Sequence, residues 1–212
     1  MTEVYLMRVN KLSDGCFQKM ISPVGDSKRE SLLRYKAVEK RDESLTAEIL
    51  MRAVLCHRMN TDNKMLEFCV SDKGKPYLKS GNIFFNVSHT KGFVAVAVSE
   101  FNIGIDIELV KDIDPKFCGR FCSEGEQAYI ISNGQLNKTR FFEVWTRKEA
   151  IVKQSGAGLS MDIASIDTLN HSNIYTSSYE NCVFSVCCED AEICVHNPDI
   201  SDKLFSDFLK NC

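Results

Sequence analysis

Three observations predict an α+β fold whose two halves repeat one order of elements. The chain has 212 residues, 44% apolar and 26% charged, which is the composition of a soluble globular protein and the length of one large domain or two modest ones. It contains no low-complexity stretch and no long Pro/Gly/Ser linker. Its periodicities run strand, helices, strands, and then the same order again, as expected of an α+β pseudo-duplicate divided near residue 101. The halves are then 1–101 and 102–212, a division that rests on element order alone.

The first half opens with a strand over Val4–Val9. A helical stretch covers Lys28–Lys40, and a stronger one covers Ser44–Met59, where Leu45, Ile49, Met51, Val54 and Leu55 form an apolar stripe and Ser44 is a plausible N-cap. The β-branched and aromatic runs Asn82–Val87 and Phe93–Val98 predict strands, with Thr90-Lys91-Gly92 as the turn between them. The second half opens with a strand over Asn102–Leu109. Helices follow over Pro115–Cys122, Glu124–Ser132 and Lys138–Gln154. Ser123 is placed to cap the second of these, with Glu126 three residues on. Short strands are expected at Ile174–Thr176, Cys182–Cys188 and Ala191–Val195. A last helix spans Asp202–Leu209, capped by Ser201.

Bulk properties exclude several classes. The net charge of −3 argues against a protein whose main partner is nucleic acid. No apolar run approaches the roughly 20 residues that span a bilayer, and the N-terminus lacks a basic leader followed by an apolar core, so a cytoplasmic protein is expected. Ten cysteines are present without a CxxC pair or zinc-site spacing. In a reducing compartment most read as reduced thiols, many of them small core residues.

Candidate chemistry concentrates in four places. In Ile103-Gly104-Ile105-Asp106-Ile107-Glu108, strand alternation puts the three isoleucines on one face and Gly104, Asp106 and Glu108 on the other. Two carboxylates side by side suit Mg²⁺, which takes one or two carboxylates plus phosphate oxygens and water. A solvated strand face with two acids explains the hexapeptide equally well. In Val144–Lys153, helical spacing brings Glu149 and Lys153 to one side. A surface ion pair is the simpler explanation of those two alone, although the chain's one tryptophan, Trp145, argues for a well-packed helix. Together, three acids and a lysine on rigid elements would make a phosphoryl-transfer site. Phe84–His89 closes a strand on polar residues, and Ser88 and His89 could donate to a phosphate. Lys73-Gly74-Lys75-Pro76 is a basic turn. No P-loop or Rossmann glycine pattern is present.

In order and spacing, these segments resemble the Sfp-type 4′-phosphopantetheinyl transferases. The blocks that carry the resemblance are GKPYL (74–78), FNVSH (85–89), GIDIE (104–108) and WTRKEAIVKQSGAGL (145–159), with KRESLLRY (28–35) and AEILMR (47–52) fitting the N-terminal region. It covers most of residues 20–165. The resemblance implies two pseudo-symmetric α/β halves with the active site in the cleft between them. It implies transfer of the 4′-phosphopantetheine arm from coenzyme A to a serine of an apo acyl or peptidyl carrier protein, with Mg²⁺, by a monomer. Residue by residue, Asp106, Glu108 and Glu149 match the metal site, and Lys153 the lysine beside the pyrophosphate. Ser88 and His89 match a turn that holds coenzyme A phosphates. Lys75 matches the lysine near the adenine, and Lys28 a basic residue on the 3′-phosphate. Ser31 and Glu43 stand where the family pattern has basic residues, with Arg41 as a substitute for the second. Residues 110–137, including Phe117, Phe121 and Ile130, match a region that helps contact the carrier, though apolar residues at helical spacing mostly bury their own helices.

As implied, Glu149, directly or through a metal-bound water, removes the proton of the carrier serine, whose oxygen attacks the β-phosphate. Lys153 assists the departing oxygen, and adenosine 3′,5′-bisphosphate leaves. Two rival classes share part of the pattern. A metal-dependent nuclease would normally carry its lysine on a strand beside an acid. A non-catalytic module that binds coenzyme A or a carrier would be expected to have lost an acid or the lysine.

Overall fold

A computed structural model describes residues 1–158, 161–190 and 192–210. The last residue of the 145–159 block, Leu159, the expected strand start at Ala191, and Cys212 lie outside the described residues. The elements stack as helices, sheet, sheet, helices. The first sheet has the order β11-β1-β5-β4, made of β1 (Thr2–Arg8), β4 (Phe84–Thr90), β5 (Phe93–Ser99) and β11 (Ile193–His196). The second has the order β6-β10-β9, made of β6 (Gly104–Leu109), β9 (Ile174–Tyr179) and β10 (Cys182–Cys187).

Strand β5 shows how the layers meet. Every residue of Phe93–Ser99 is buried, because both faces are covered. Val94, Val96 and Val98 pack into a core shared with the helices, whereas Phe93, Ala95 and Ala97 face the second sheet. The two alanines admit Ile103, Ile105, Ile107 and Phe184 from that sheet into a common apolar layer.

One long helix covers each outer face. α3 (Val38–Met59) packs Leu45, Ile49, Leu50, Val54 and Leu55 against the first sheet and stops at Asn60, whose left-handed φ of 48° ends the helix. α6 (Lys138–Ser155) lies on the second sheet. Its N-terminus is capped by Asn137, whose side chain accepts from the Arg140 amide, and it stops at Gly156, φ 67°. Shorter helices α1 (Asp14–Ile21) and α2 (Asp26–Leu33) flank α3. α4 (Lys116–Phe121) and α5 (Glu124–Ile130) flank α6. Ser123 and Glu126 form the expected capping box at α5. The chain's end crosses back: β11 pairs in parallel with β1, and α7 (Lys203–Lys210) buries Phe205 and Phe208 in the core of the first half.

Several elements differ from the sequence-based expectation. The Lys28–Lys40 stretch is two helices, with a break at residues 34–37. Ser44 is not an N-cap but a buried interior residue of α3. The helix starts six residues earlier because its acids have partners: Asp42 accepts from the Leu12 amide, and Glu43 from the Gly92 amide. α1, capped by Ser13, was not expected, nor were two small hairpins. These are β2 (Phe68–Val70) with β3 (Pro76–Leu78), and β7 (Ile131–Ser132) with β8 (Gln135–Leu136). Finally, β4 runs on to Thr90, so Ser88 and His89 lie within a strand rather than at its end.

Gly104 sets the distance between α6 and the second sheet. A Cβ there would run into the backbone of Ala150 and Gln154. Gly104→Ala is therefore expected to destabilise the fold by about 2–3 kcal/mol, as overpacking against unyielding backbone does. Denaturant unfolding measures this directly, and an unchanged midpoint would show that α6 can move away freely.

Candidate active site

The site forms where β4, β6 and α6 meet. β4 and β6 border different sheets, and no backbone ladder joins them. Side chains of β4 take over that task. Asn86 Oδ1 accepts from the Ile105 amide at 2.9 Å, Ser88 Oγ from Ile107 at 3.4 Å, and Thr90 Oγ1 from Leu109 at 3.5 Å. The same two hydroxyls donate to the acids of β6: Ser88 to Asp106 at 2.8 Å, and Thr90 to Glu108 at 3.0 Å.

Strand alternation works as expected in β6. Ile103, Ile105 and Ile107 are fully buried toward the first sheet, while Asp106 and Glu108 point to the opposite face. From α6, Lys153 reaches across and places Nζ 2.6 Å from Asp106 Oδ1 and 2.9 Å from Ser88 Oγ. Asp106 is 5% exposed, and its second oxygen, Oδ2, is buried without a hydrogen-bond partner. Such an orphaned carboxylate oxygen is costly in a folded protein.

Glu108 and Glu149 are half-buried near Asp106. In both, burial pushes the carboxyl pKa up and the Asp106 charge adds to the rise. Lys153 opposes it in both, and the Thr90 hydrogen bond does so at Glu108. The three acids therefore repel one another in a partly dry pocket, which is the donor set a hard divalent cation takes. Among the described residues, no three His, Cys, Asp or Glu side chains are drawn together as closely as around a bound metal ion. Lys153 holds Asp106 instead.

His89, next along β4, is exposed at the rim. Desolvation lowers its pKa, and Lys153, Lys28 and Lys40 lower it further, whereas Glu43 raises it. The sequence-predicted Lys28 and His89 are thus near enough to interact. Arg41 is committed elsewhere: its guanidinium pairs with Asp42 at 2.8 Å and lies 4.0 Å over the Phe17 ring. Lys40, which sequence reasoning passed over, stands near His89 in its place. Of the two departures from the family pattern, Ser31 is exposed, and Glu43 is buried on the Gly92 amide beside His89.

Lys75 is half-buried and fully engaged. Its Nζ donates to Asn102 Oδ1, Ile103 O and Gln154 O at 2.8, 3.1 and 2.9 Å, pinning the basic turn to the start of β6 and the end of α6. Burial lowers its pKa to about 8. Beside it lies a cavity of about 480 Å³ with Tyr77, Phe84, Asn102 and Gln154 among its walls. The only sequence signal for that cavity was a pair of aromatic residues flanking polar turns. In the 110–137 region, Ile130 is fully buried, as apolar spacing predicts, but Phe117 is 50% exposed. It stacks on Phe121, which in turn meets Trp145 edge-on.

The two sheets are thus joined by side chains, with three carboxylates and a lysine at the join. Comparison with known proteins identifies the family. A model of the 4′-phosphopantetheinyl transferase superfamily matches residues 102–201, and a model of the N-terminal part of 4′-phosphopantetheinyl transferases matches residues 12–101. The 4′-phosphopantetheinyl transferase gsp of Aneurinibacillus migulanus is 34% identical over 167 residues, covering 78% of this chain and 70% of its own. Sfp of Bacillus subtilis (strain 168) is 31% identical over 157 residues, 73% of this chain and 69% of its own. A further Bacillus subtilis 4′-phosphopantetheinyl transferase is 29% identical over 210 residues, 94% and 93% of the two chains. The chain belongs to the 4′-phosphopantetheinyl transferase superfamily. It is an enzyme of the transferase class, which sets aside the nuclease and the non-catalytic binding module.

The surroundings of His89 generate a pH-dependent prediction. Its folded-state pKa lies below the usual histidine value, so the stability it contributes is present above about pH 6.5 and is lost as pH falls through the folded-state pKa. NMR titration should find His89 below 6.5 in the free protein. Adenosine 3′,5′-bisphosphate should raise the value if a phosphate docks beside the ring. A free-protein value at or above 6.5 would contradict this account of the pocket.

Proposed function

We propose that this enzyme transfers 4′-phosphopantetheine from coenzyme A to a serine of an apo acyl or peptidyl carrier protein, using Mg²⁺. The observation that carries the reading is the Asp106 carboxylate, with one oxygen held by Ser88 and Lys153 and the other buried and unpartnered. Asp106, Glu108 and Glu149 are the ligands the reading gives to Mg²⁺, which when bound neutralises the charge of the pyrophosphate. Lys153, whose ammonium lies 2.6 Å from Asp106, is the residue the reading assigns to the leaving phosphate oxygen, and Asp106 would share its charge between that lysine and the ion.

Glu149 is the general base. It accepts the proton of a serine hydroxyl, a poor nucleophile without such help. The serine oxygen forms a bond to the β-phosphorus as the bond to the α-phosphate oxygen breaks, Glu149 takes the hydroxyl proton, and adenosine 3′,5′-bisphosphate departs beside Lys153. His89 holds a phosphate oxygen, with Lys28 and Lys40 supplying positive charge at the 3′-phosphate and Arg41 playing no direct part, while Ser88, whose one hydroxyl proton goes to Asp106, orients that acid. Lys75 acts through structure, shaping the wall of the cavity that takes the adenine.

The carrier docks on α4. Exposed Phe117, with Lys116 and Arg120 beside it, offers an apolar and basic surface to an acidic helical partner. One chain supplies every residue in this scheme, so the working unit is a monomer in the cytoplasm.

Intact mass spectrometry of apo carriers incubated with coenzyme A and Mg²⁺ tests the function. A gain of one phosphopantetheine is expected, abolished by EDTA and by Ser→Ala in the carrier. Glu149→Gln should lower the rate on the order of 100-fold or more, and Phe117→Ala should raise KM for the carrier. Near-normal turnover of Glu149→Gln at saturating Mg²⁺ would remove Glu149 from the mechanism.

A further inference from the structure

We propose that Lys148 and Glu126 are positioning residues: a buried ion pair that fixes the orientation of α6 and thereby the directions in which Glu149 and Lys153 point. The inference rests on the roles given to those two residues above. Both members of the pair are fully buried, 0% exposed, which is rare for lysine and glutamate. Lys148 Nζ lies 2.8 Å from Glu126 Oε2 and donates to the carbonyls of Ile163 at 2.9 Å and Ile166 at 2.6 Å, so all three of its protons are used. Glu126 accepts from the Ser123 amide at 2.8 Å, and from the amide and hydroxyl of Thr168 at 3.1 and 2.7 Å. One carboxylate thus caps α5, holds the 163–168 segment and neutralises Lys148.

The apolar face of α6 cannot do this job alone. Burial of Phe142, Val144, Ala150 and Val152 presses the helix to the sheet, but the hydrophobic effect has no direction. Small rotations about the helix axis cost apolar contacts little, yet they would swing Glu149 and Lys153 away from Asp106. The residues just before Glu149 carry the directional bonds. Thr146 Oγ1 bonds Ser185 on β10 at 2.8 Å, Arg147 Nε donates to Thr176 on β9 at 2.9 Å, and Lys148 reaches α5 and the 163–168 segment. Three successive side chains thus anchor the helix, two to neighbouring strands of the second sheet and one to α5. Stability does not account for a buried pair, since apolar residues of similar volume often serve as well or better. Placement of the adjoining site does.

The test removes both charges together, in Lys148→Met combined with Glu126→Gln, because glutamine keeps an oxygen for the α5 cap. Melting temperature, Mn²⁺ affinity in the presence of coenzyme A by electron paramagnetic resonance, kcat, and KM for the carrier are measured. A folded protein is expected, with kcat lower by about 10-fold or more, as small misplacements of reacting groups produce. Mn²⁺ binding should weaken, and KM for the carrier should stay near that of the unmodified enzyme. Unchanged kcat and Mn²⁺ affinity in a folded double variant would overturn the inference. Glu149→Gln, run alongside, separates the two readings. If it keeps full activity, the role of Glu149 fails; if it is inactive while the double variant is normal, only the positioning role fails. Should the double variant not fold, Glu126→Asp decides, since it keeps both charges and alters only the reach of the contact, with a smaller fall in kcat and Mn²⁺ affinity expected. Failure of that variant to fold would make the pair a requirement of the whole fold and contradict a specific role at α6.

Discussion

The structure depends on a row of side-chain hydrogen bonds between two strands that never pair. β4 and β6 would each expose an edge of unsatisfied amides at the center of the molecule. Asn86, Ser88 and Thr90, on alternate positions of β4, accept from the amides of Ile105, Ile107 and Leu109, also on alternate positions. A backbone ladder there would merge the sheets and bring the strands to pairing distance. A side-chain ladder keeps them apart and leaves room on one side of the seam, where Asp106, Glu108 and Lys153 gather. Fold and site follow from the same three polar residues.

That arrangement carries a cost. Two half-buried glutamates stand beside a buried aspartate, and each has its pKa raised by desolvation and by that neighbour. Lys153 offsets part of the repulsion through its 2.6 Å contact with Asp106, but Asp106 Oδ2 remains unpartnered. A fold selected for stability alone would place apolar residues here. Under the proposed function, a divalent cation and the phosphates it accompanies would relieve this repulsion.

Much of this was legible in the sequence. The alternation in GIDIE fixed which side of β6 carries the acids, and Glu149 and Lys153 do share a helix, because period-2 and period-3.6 patterns are read from local residues alone. The α5 capping box was equally local. The misses have long-range causes. Ser44 resembles a cap, but α3 begins earlier because Leu12 and Gly92, distant in sequence, satisfy Asp42 and Glu43. Arg41 reads as free positive charge until Phe17 and Asp42 are seen to hold it. Ser88 reads as a strand end until Ile107 is found opposite it. Lys148 drew no notice in the sequence, and its burial depends on Glu126, 22 positions back, an adjacency that no local pattern encodes.

The most direct test of the central claim is a crystal structure of the enzyme with coenzyme A and Mn²⁺, read by anomalous scattering at the manganese edge. The account predicts one strong peak within coordination distance of Asp106, Glu108 and Glu149, touching the pyrophosphate, with the Lys153 ammonium on a phosphate oxygen. A peak elsewhere, or coenzyme A phosphates bound away from these carboxylates and from Lys153, would contradict it.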